Sequence, residues 1–136
     1  MAYAGDVFEA AMGLMDELGG DGEPLGENTA EYMLRTPAII NLLVSELNIL
    51  SGEHDDWLPV ESLDDLVPAG DTSYALGALP YGLAANLLVD ENPGAASFYQ
   101  QRYEELRGAY LARLRAHVSA VENLYGGLEY GEFGEW

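Results

Sequence analysis

The side chains able to move a proton or hold a metal near neutral pH are two histidines, His54 and His117, and twenty-four carboxylates. The chain has no cysteine, and its five bases are all arginine: Arg35, Arg102, Arg107, Arg113 and Arg115. A thiolate nucleophile, a thiolate metal site, a disulfide and a Schiff-base lysine are therefore excluded. Glu53-His54-Asp55-Asp56 has ligand-type residues, but adjacent ligands on a loop are a weak metal signal, and the run reads as solvated loop. His117 falls near the end of a predicted helix, where it suits the helix dipole or solvent. No glycine-rich phosphate loop, metal-binding helix pair or dinucleotide fingerprint occurs. With carboxylates throughout, their pairing carries no information. The expectation is a non-enzymatic protein with no cofactor.

The charge says more than the motifs. Twenty-four acids against five bases give a net charge of −19. Such a surface repels nucleic acid and anionic lipid, so binding to DNA through its phosphates is disfavoured. Solubility accounts for an acidic surface, as does a DNA-mimicking inhibitor, or a protein that sits beside DNA without adhering to it. The bases are segregated: Arg102, Arg107, Arg113 and Arg115 share one segment, a candidate charged contact between subunits.

The elements that must position these residues read as helices. At 136 residues, 49% of them apolar, the chain fits one domain with a real core. Its apolar runs are broken by Pro, Gly or Glu short of about eighteen residues, so no membrane span is expected. The start, MAYAGDVFEA, lacks the positive region of a signal peptide. Asp6-Val7-Phe8-Glu9 resembles a capping box, and Val7, Ala10, Ala11, Leu14 and Leu18 recur at helical spacing until Gly19-Gly20. Asn28-Thr29-Ala30-Glu31 opens a second helix, expected to kink or break at Pro37, with Thr36 recapping it. Ile39, Ile40, Leu43, Leu47 and Leu50 form its stripe, and Ser51-Gly52 closes it.

A third helix starts at Asp71 and meets Pro80 in mid-pattern; Gly77 and Gly82 flank the proline and permit close approach. After it, Leu83 to Val89 is apolar nearly all round, which marks burial. Asn92-Pro93 is a cap followed by proline at the first helical position, so the chain reverses there into a long helix. Tyr99, Tyr103, Leu106, Tyr110 and Leu114 hold one face; Gln100, Gln101, Glu104, Glu105 and Arg107 are expected to be solvated. Running to about Val118, that helix spans about 39 Å at 1.5 Å per residue, so its end should project.

Two stretches lie outside this pattern. Residues 52–71, GEHDDWLPVESLDDLVPAGD, are interrupted by Pro59 and Pro68, and no helical period survives. An insert of this length in a small domain is expected to be ordered, pinned by Trp57, and to serve as a contact loop through Trp57 and Leu58. Residues 119–136, SAVENLYGGLEYGEFGEW, cannot continue the helix through Gly126-Gly127, and place Tyr125, Leu128, Tyr130, Phe133 and Trp136 among Gly and Glu. A tail so rich in aromatics is expected to dock, onto its own core or onto a neighbouring subunit or partner.

The fold class expected is therefore all-α: a small bundle of four main helices, about 7–18, 29–51, 72–89 and 93–118, with a long central loop and an extended C-terminal tail. Residues 1–118 form the helical domain and 119–136 the tail.

The phrases RTPAIINLL, LPYGLAANLLVDENPGAASFYQQRYEELR and LYGGLEYGEFGEW, in that order, resemble the head–tail connector (adaptor) proteins of tailed bacteriophages. The resemblance runs from about Asn28 to Trp136, and loop 52–71 matches no pattern in it. It implies a structural virion protein, made in the host cytoplasm and placed in the neck. Copies form a ring, usually dodecameric, beneath the portal protein; DNA passes through without specific binding, and the next neck or tail component is seated on the ring. The C-terminal segment of such adaptors often reaches the portal, which implies docking roles for Leu124, Tyr125, Leu128, Tyr130, Phe133 and Trp136. An acidic lumen would let DNA slide, and the arginine-bearing helix could meet an acidic face of the next subunit. The alternative is an acidic DNA mimic that inhibits a nucleic-acid-binding protein, which would need carboxylates at phosphate-like spacing on one face.

Overall fold

The computed structural model describes residues 2–15, 28–52, 56–68 and 71–122, with side chains to residue 116. The architecture is all-α. Its elements are α1 (Ala4–Leu14), α2 (Thr29–Ser51), α3 (Thr72–Gly77), α4 (Leu79–Leu88) and α5 (Pro93–Glu122). The described residues contain no strand, only an isolated antiparallel bridge between Tyr3 and Leu66.

Helix α4 is the hub. It packs against all four other helices, and Leu79, Leu83, Ala84 and Leu87 are buried on several sides of it. This is the outcome expected of an element apolar nearly all round. Gly82 lets α2 and α5 close on it: a methyl group there would stand 3.0 Å from Leu43 Cδ1 and 3.2 Å from the Tyr103 ring. Gly77, grouped with Gly82 as a close-approach position, faces open space instead. Pro80 breaks rather than kinks the expected helix. Ala78 adopts φ −110°, α3 ends at Gly77, and α4 begins so that the missing proline N–H falls in its first turn.

The reversal into α5 follows the expected chemistry. The Asn92 side chain accepts a hydrogen bond from Ala95 N at 3.2 Å, and Pro93 is the first residue of the helix. Helix α5 runs to Glu122, four residues beyond the expected end and into the segment assigned to the tail.

Of the kink or break expected at Pro37, the break does not occur: helix α2 is continuous from Thr29 to Ser51. Thr36 does not recap it. Its Oγ1 donates back to Tyr32 O at 2.7 Å, so the buried hydroxyl is satisfied inside the same helix. At its end, Gly52 takes φ 80°, a left-handed cap that glycine adopts without strain.

Helix α1 starts three residues earlier than expected because its entry is held from outside. Ala4 N and Gly5 N donate to Asp65 O and Leu63 O, both at 2.8 Å, and Val67 N donates to Ala2 O. Asp6 lies at the third helical position, where its carboxylate accepts from Tyr3 N at 3.0 Å, instead of forming the cap itself. Of the expected stripe Val7 and Ala11 are buried and Ala10 and Leu14 half-buried, while Phe8 and Met12 beside them are buried as well. Leu18 and Gly19-Gly20 lie outside the described residues.

Candidate interaction surfaces

Three surfaces hold the residues picked out by type: the seam between α3 and α5, the loop before α3, and the outer face of α2. At the seam, Asp71 caps α3 by accepting from Tyr74 N at 2.8 Å, and its Oδ2 accepts from Arg113 Nη2 at 2.8 Å. The backbone hydrogen bond from Tyr74 lowers the Asp71 pKa below the ordinary carboxylate value, outweighing the opposing effect of desolvation, with the Arg113 charge and hydrogen bond adding to the lowering. The Arg113 guanidinium also lies over the Tyr110 ring, 5.2 Å from its centroid. Beneath, Tyr74 stacks against Tyr110 at 4.7 Å between centroids, and its hydroxyl meets that of Tyr103 at 2.8 Å. Burial raises the pKa values of both hydroxyls, as it does that of Tyr110 to a lesser depth.

Next to these rings the two helices leave an open groove of about 310 Å³. Gly77 and Ala78 form one wall, Leu106, Ala109 and Tyr110 the other, and Arg113 stands at one end. The small residues on α3 carry no side chain long enough to cross to α5, which is why the crevice is not filled.

The four arginines of α5 have separate fates. Arg107, expected to be solvated, has a side chain only 17% exposed; it pairs with Glu46 of α2 and lies over the Tyr103 ring. Arg113 pairs with Asp71, as described. Arg102 pairs with Glu105 one turn along the same helix, with both groups about half exposed. Arg115 is exposed and makes no ion pair with the described residues. Two of the four thus join elements within the subunit, and Arg102 and Arg115 remain at the surface.

Loop residues 56–68 are held by Trp57, as expected, and by a second pin that was not. Asn41 on α2 clamps the Val60 peptide from both sides, donating from Nδ2 to Val60 O at 2.9 Å and accepting from Val60 N at 2.8 Å. Val60 and Val67 are buried, and the Asp65 carboxylate closes the intervening turn by accepting from Glu61 N and Ser62 N. Trp57 packs on the core while staying partly exposed; Leu58 beside it is 85% exposed. Asn41 gave no signal in the sequence, because a polar residue on a helix next to apolar ones reads as solvent-facing.

No protein-family model, curated protein or solved structure matches this chain. What the surfaces can do therefore rests on their own chemistry.

The outer face of α2 was not anticipated at all. Leu34, Leu42 and Ile49 are 82%, 69% and 79% exposed, and Leu50, assigned to the buried stripe, is half exposed. The buried stripe is instead Ile39, Ile40, Leu43, Val44 and Leu47. Because α2 is apolar on both faces, it is long and apolar enough to cross a membrane by length and composition, contrary to the expectation from the broken runs. Here one of those faces lies in the core. Among the described residues no group of three or more His, Asp and Glu could hold a metal. Glu53, His54 and Asp55, the His117 side chain, and Leu124, Tyr125, Leu128, Tyr130, Phe133 and Trp136 lie outside the described residues or side chains.

Proposed function

We propose that this chain is a non-enzymatic structural subunit of a bacteriophage neck, a connector that forms a ring under the portal protein. DNA passes through that ring, and the next neck or tail component is seated on it. The observation that carries the reading is the length of α5. It has 30 residues against 10 in α4, on which it packs, and from Leu114, which still touches the core, it runs on to Glu122, about 12 Å farther at 1.5 Å per residue. A helix so much longer than its packing partner, leading into an aromatic segment, suits a subunit that hands its C-terminus to a partner.

Copies carrying −19 repel one another, so ring closure calls for contacts that are not simple charge pairs. With Arg107 and Arg113 engaged inside the subunit, the exposed Leu34, Leu42 and Ile49 of α2 are the surface best suited to a neighbouring copy, with Arg102 and Arg115 adding charge pairs. A head-to-tail contact of this kind closes into a ring when its rotation closes. A DNA mimic would need two rows of carboxylates on one face; the exposed acids of the described residues are spread over α1, α2, loop 56–68, the turn at Asp90-Glu91 and α5.

Reconstitution with a portal ring tests the reading. Deletion of 124–136 should abolish docking with helix content unchanged, and Leu42→Gln with Ile49→Gln should reduce ring mass without unfolding the subunit. Docking unimpaired by the deletion would remove the tail from the interface. A strict monomer even with portal present would overturn the ring.

A further inference from the structure

We propose that the groove between α3 and α5 is the seat of this chain's own C-terminal segment, residues 123–136. Chemistry, reach and charge point to the same occupant. The groove offers mostly apolar walls, Gly77 and Ala78 opposite Leu106 and Ala109, bordered by the rings of Tyr74 and Tyr110, an environment that suits planar rings. At about 310 Å³ it has room for one or two aromatic side chains. The C-terminal segment supplies them in a repeated pattern, Tyr130-Gly-Glu and Phe133-Gly-Glu followed by Trp136, in which each of the first two rings is followed by a glycine and a carboxylate.

Reach fits as well. Gly126-Gly127 is a helix breaker just past the end of α5, so a chain reversed there runs back along the helix that precedes it. From the helix end to Arg113 is about 14 Å at 1.5 Å per residue. An extended chain covers that distance in four or five residues at about 3.3 Å each. Tyr130 to Glu132 then come within reach of Arg113, and Phe133 to Trp136 cover the further distance of about 10 Å along the groove to Ala109 and Leu106.

Charge decides between this site and the other apolar surface. The segment carries Glu129, Glu132 and Glu135 and no base, and four of the chain's five bases lie on α5. The outer face of α2 offers it Glu31, with Arg35 turned to the Asn86 carbonyl and Glu46 already paired with Arg107. In the groove, Arg113 commits one Nη2 contact to Asp71 and is 61% exposed, so part of its five-donor fork is open to Glu132. The covalent link makes docking intramolecular, which favours it over capture of another copy's segment at ordinary concentrations. The inference rests on the connector reading only for what the segment meets once it leaves the groove.

The test uses the full chain with Trp57→Phe, which leaves Trp136 as the sole tryptophan, and follows its emission and its quenching by acrylamide in the absence of any portal. The expected result is a blue-shifted Trp136, protected relative to a free peptide of residues 123–136, with protection independent of protein concentration. Ala109→Phe, which fills the groove, should remove the protection; Arg113→Gln should remove part of it, because an exposed ion pair contributes modestly. Circular dichroism checks that both variants keep their helix content. Trp136 as quenchable as the peptide, or protection untouched by both variants, would overturn the assignment. Protection lost on dilution alongside a dimer mass would transfer the segment to a second copy. None of these outcomes involves the portal, so failure here leaves the connector reading to its own experiment.

Discussion

The hydroxyls of Tyr74 and Tyr103 meet at 2.8 Å in the core, where the short α3 packs on the long α5. Each ring is nearly inaccessible; the Tyr103 hydroxyl also has Arg107 beside it, whereas the Tyr74 hydroxyl faces Tyr103. Removing the Tyr103 oxygen leaves the Tyr74 hydroxyl unpaired, which costs about 1–3 kcal/mol, whereas removing both leaves two apolar rings of unchanged shape. Tyr74→Phe and Tyr103→Phe should therefore each lower stability in urea unfolding. The double variant should lose clearly less than the sum. Additive losses would mean that the two hydroxyls act separately.

The same pair sets the alkaline limit. Burial raises both pKa values above 10.0, so in the folded state these groups stay protonated where the unfolded chain ionises. Below that pH the pair's contribution is fully present. Above it, stability falls as pH rises toward the folded values, because ionisation favours the unfolded chain. At the acid end Asp71 has the opposite sign: its lowered pKa contributes stability above about 3.8 that is lost as pH falls through the folded value. Stability measured against pH should therefore drop above about 10 in the parent and less steeply in the double phenylalanine variant.

Gly82 and Gly108 should respond to alanine with opposite signs. A methyl at Gly82 meets Leu43 Cδ1 at 3.0 Å and the Tyr103 ring at 3.2 Å, inside a packed junction of three helices. Overpacking of that kind typically costs about 1–3 kcal/mol. Gly108 lies within α5 with nothing within 4 Å, so Gly108→Ala should gain up to about 1 kcal/mol of helix propensity. Thermal unfolding of the two variants checks both signs.

Asn41 should behave as the anchor of the central loop. Asn41→Ala removes both hydrogen bonds to the Val60 peptide and leaves a buried segment partly unpaired, for a loss of about 1–3 kcal/mol. Asn41→Asp keeps the acceptor for Val60 N but not the donor for Val60 O, and should fall between. Hydrogen exchange at the Val60 amide gives the direct readout: fast in Asn41→Ala, slowed in the parent. Trp57→Phe, by contrast, should leave that amide protected.

By itself the sequence determined whatever depends on neighbours along the chain. The Asn92-Pro93 reversal, the Gly52 cap, the apolar circumference of α4 and the tyrosine face of α5 follow from capping chemistry, φ preferences and a 3.6-residue period, and all stand as read. Tertiary structure decided whatever depends on residues brought together from afar. The start of α1 moved three residues because the backbone of Leu63 and Asp65 pairs with it. Asn41 became a clamp because Val60 lies against it. Arg107 left the surface for Glu46 of α2, and among the described residues only one face of the doubly apolar α2 is covered. Periodicity reports how many faces of a helix are apolar; it carries no record of how many of them the rest of the chain will cover.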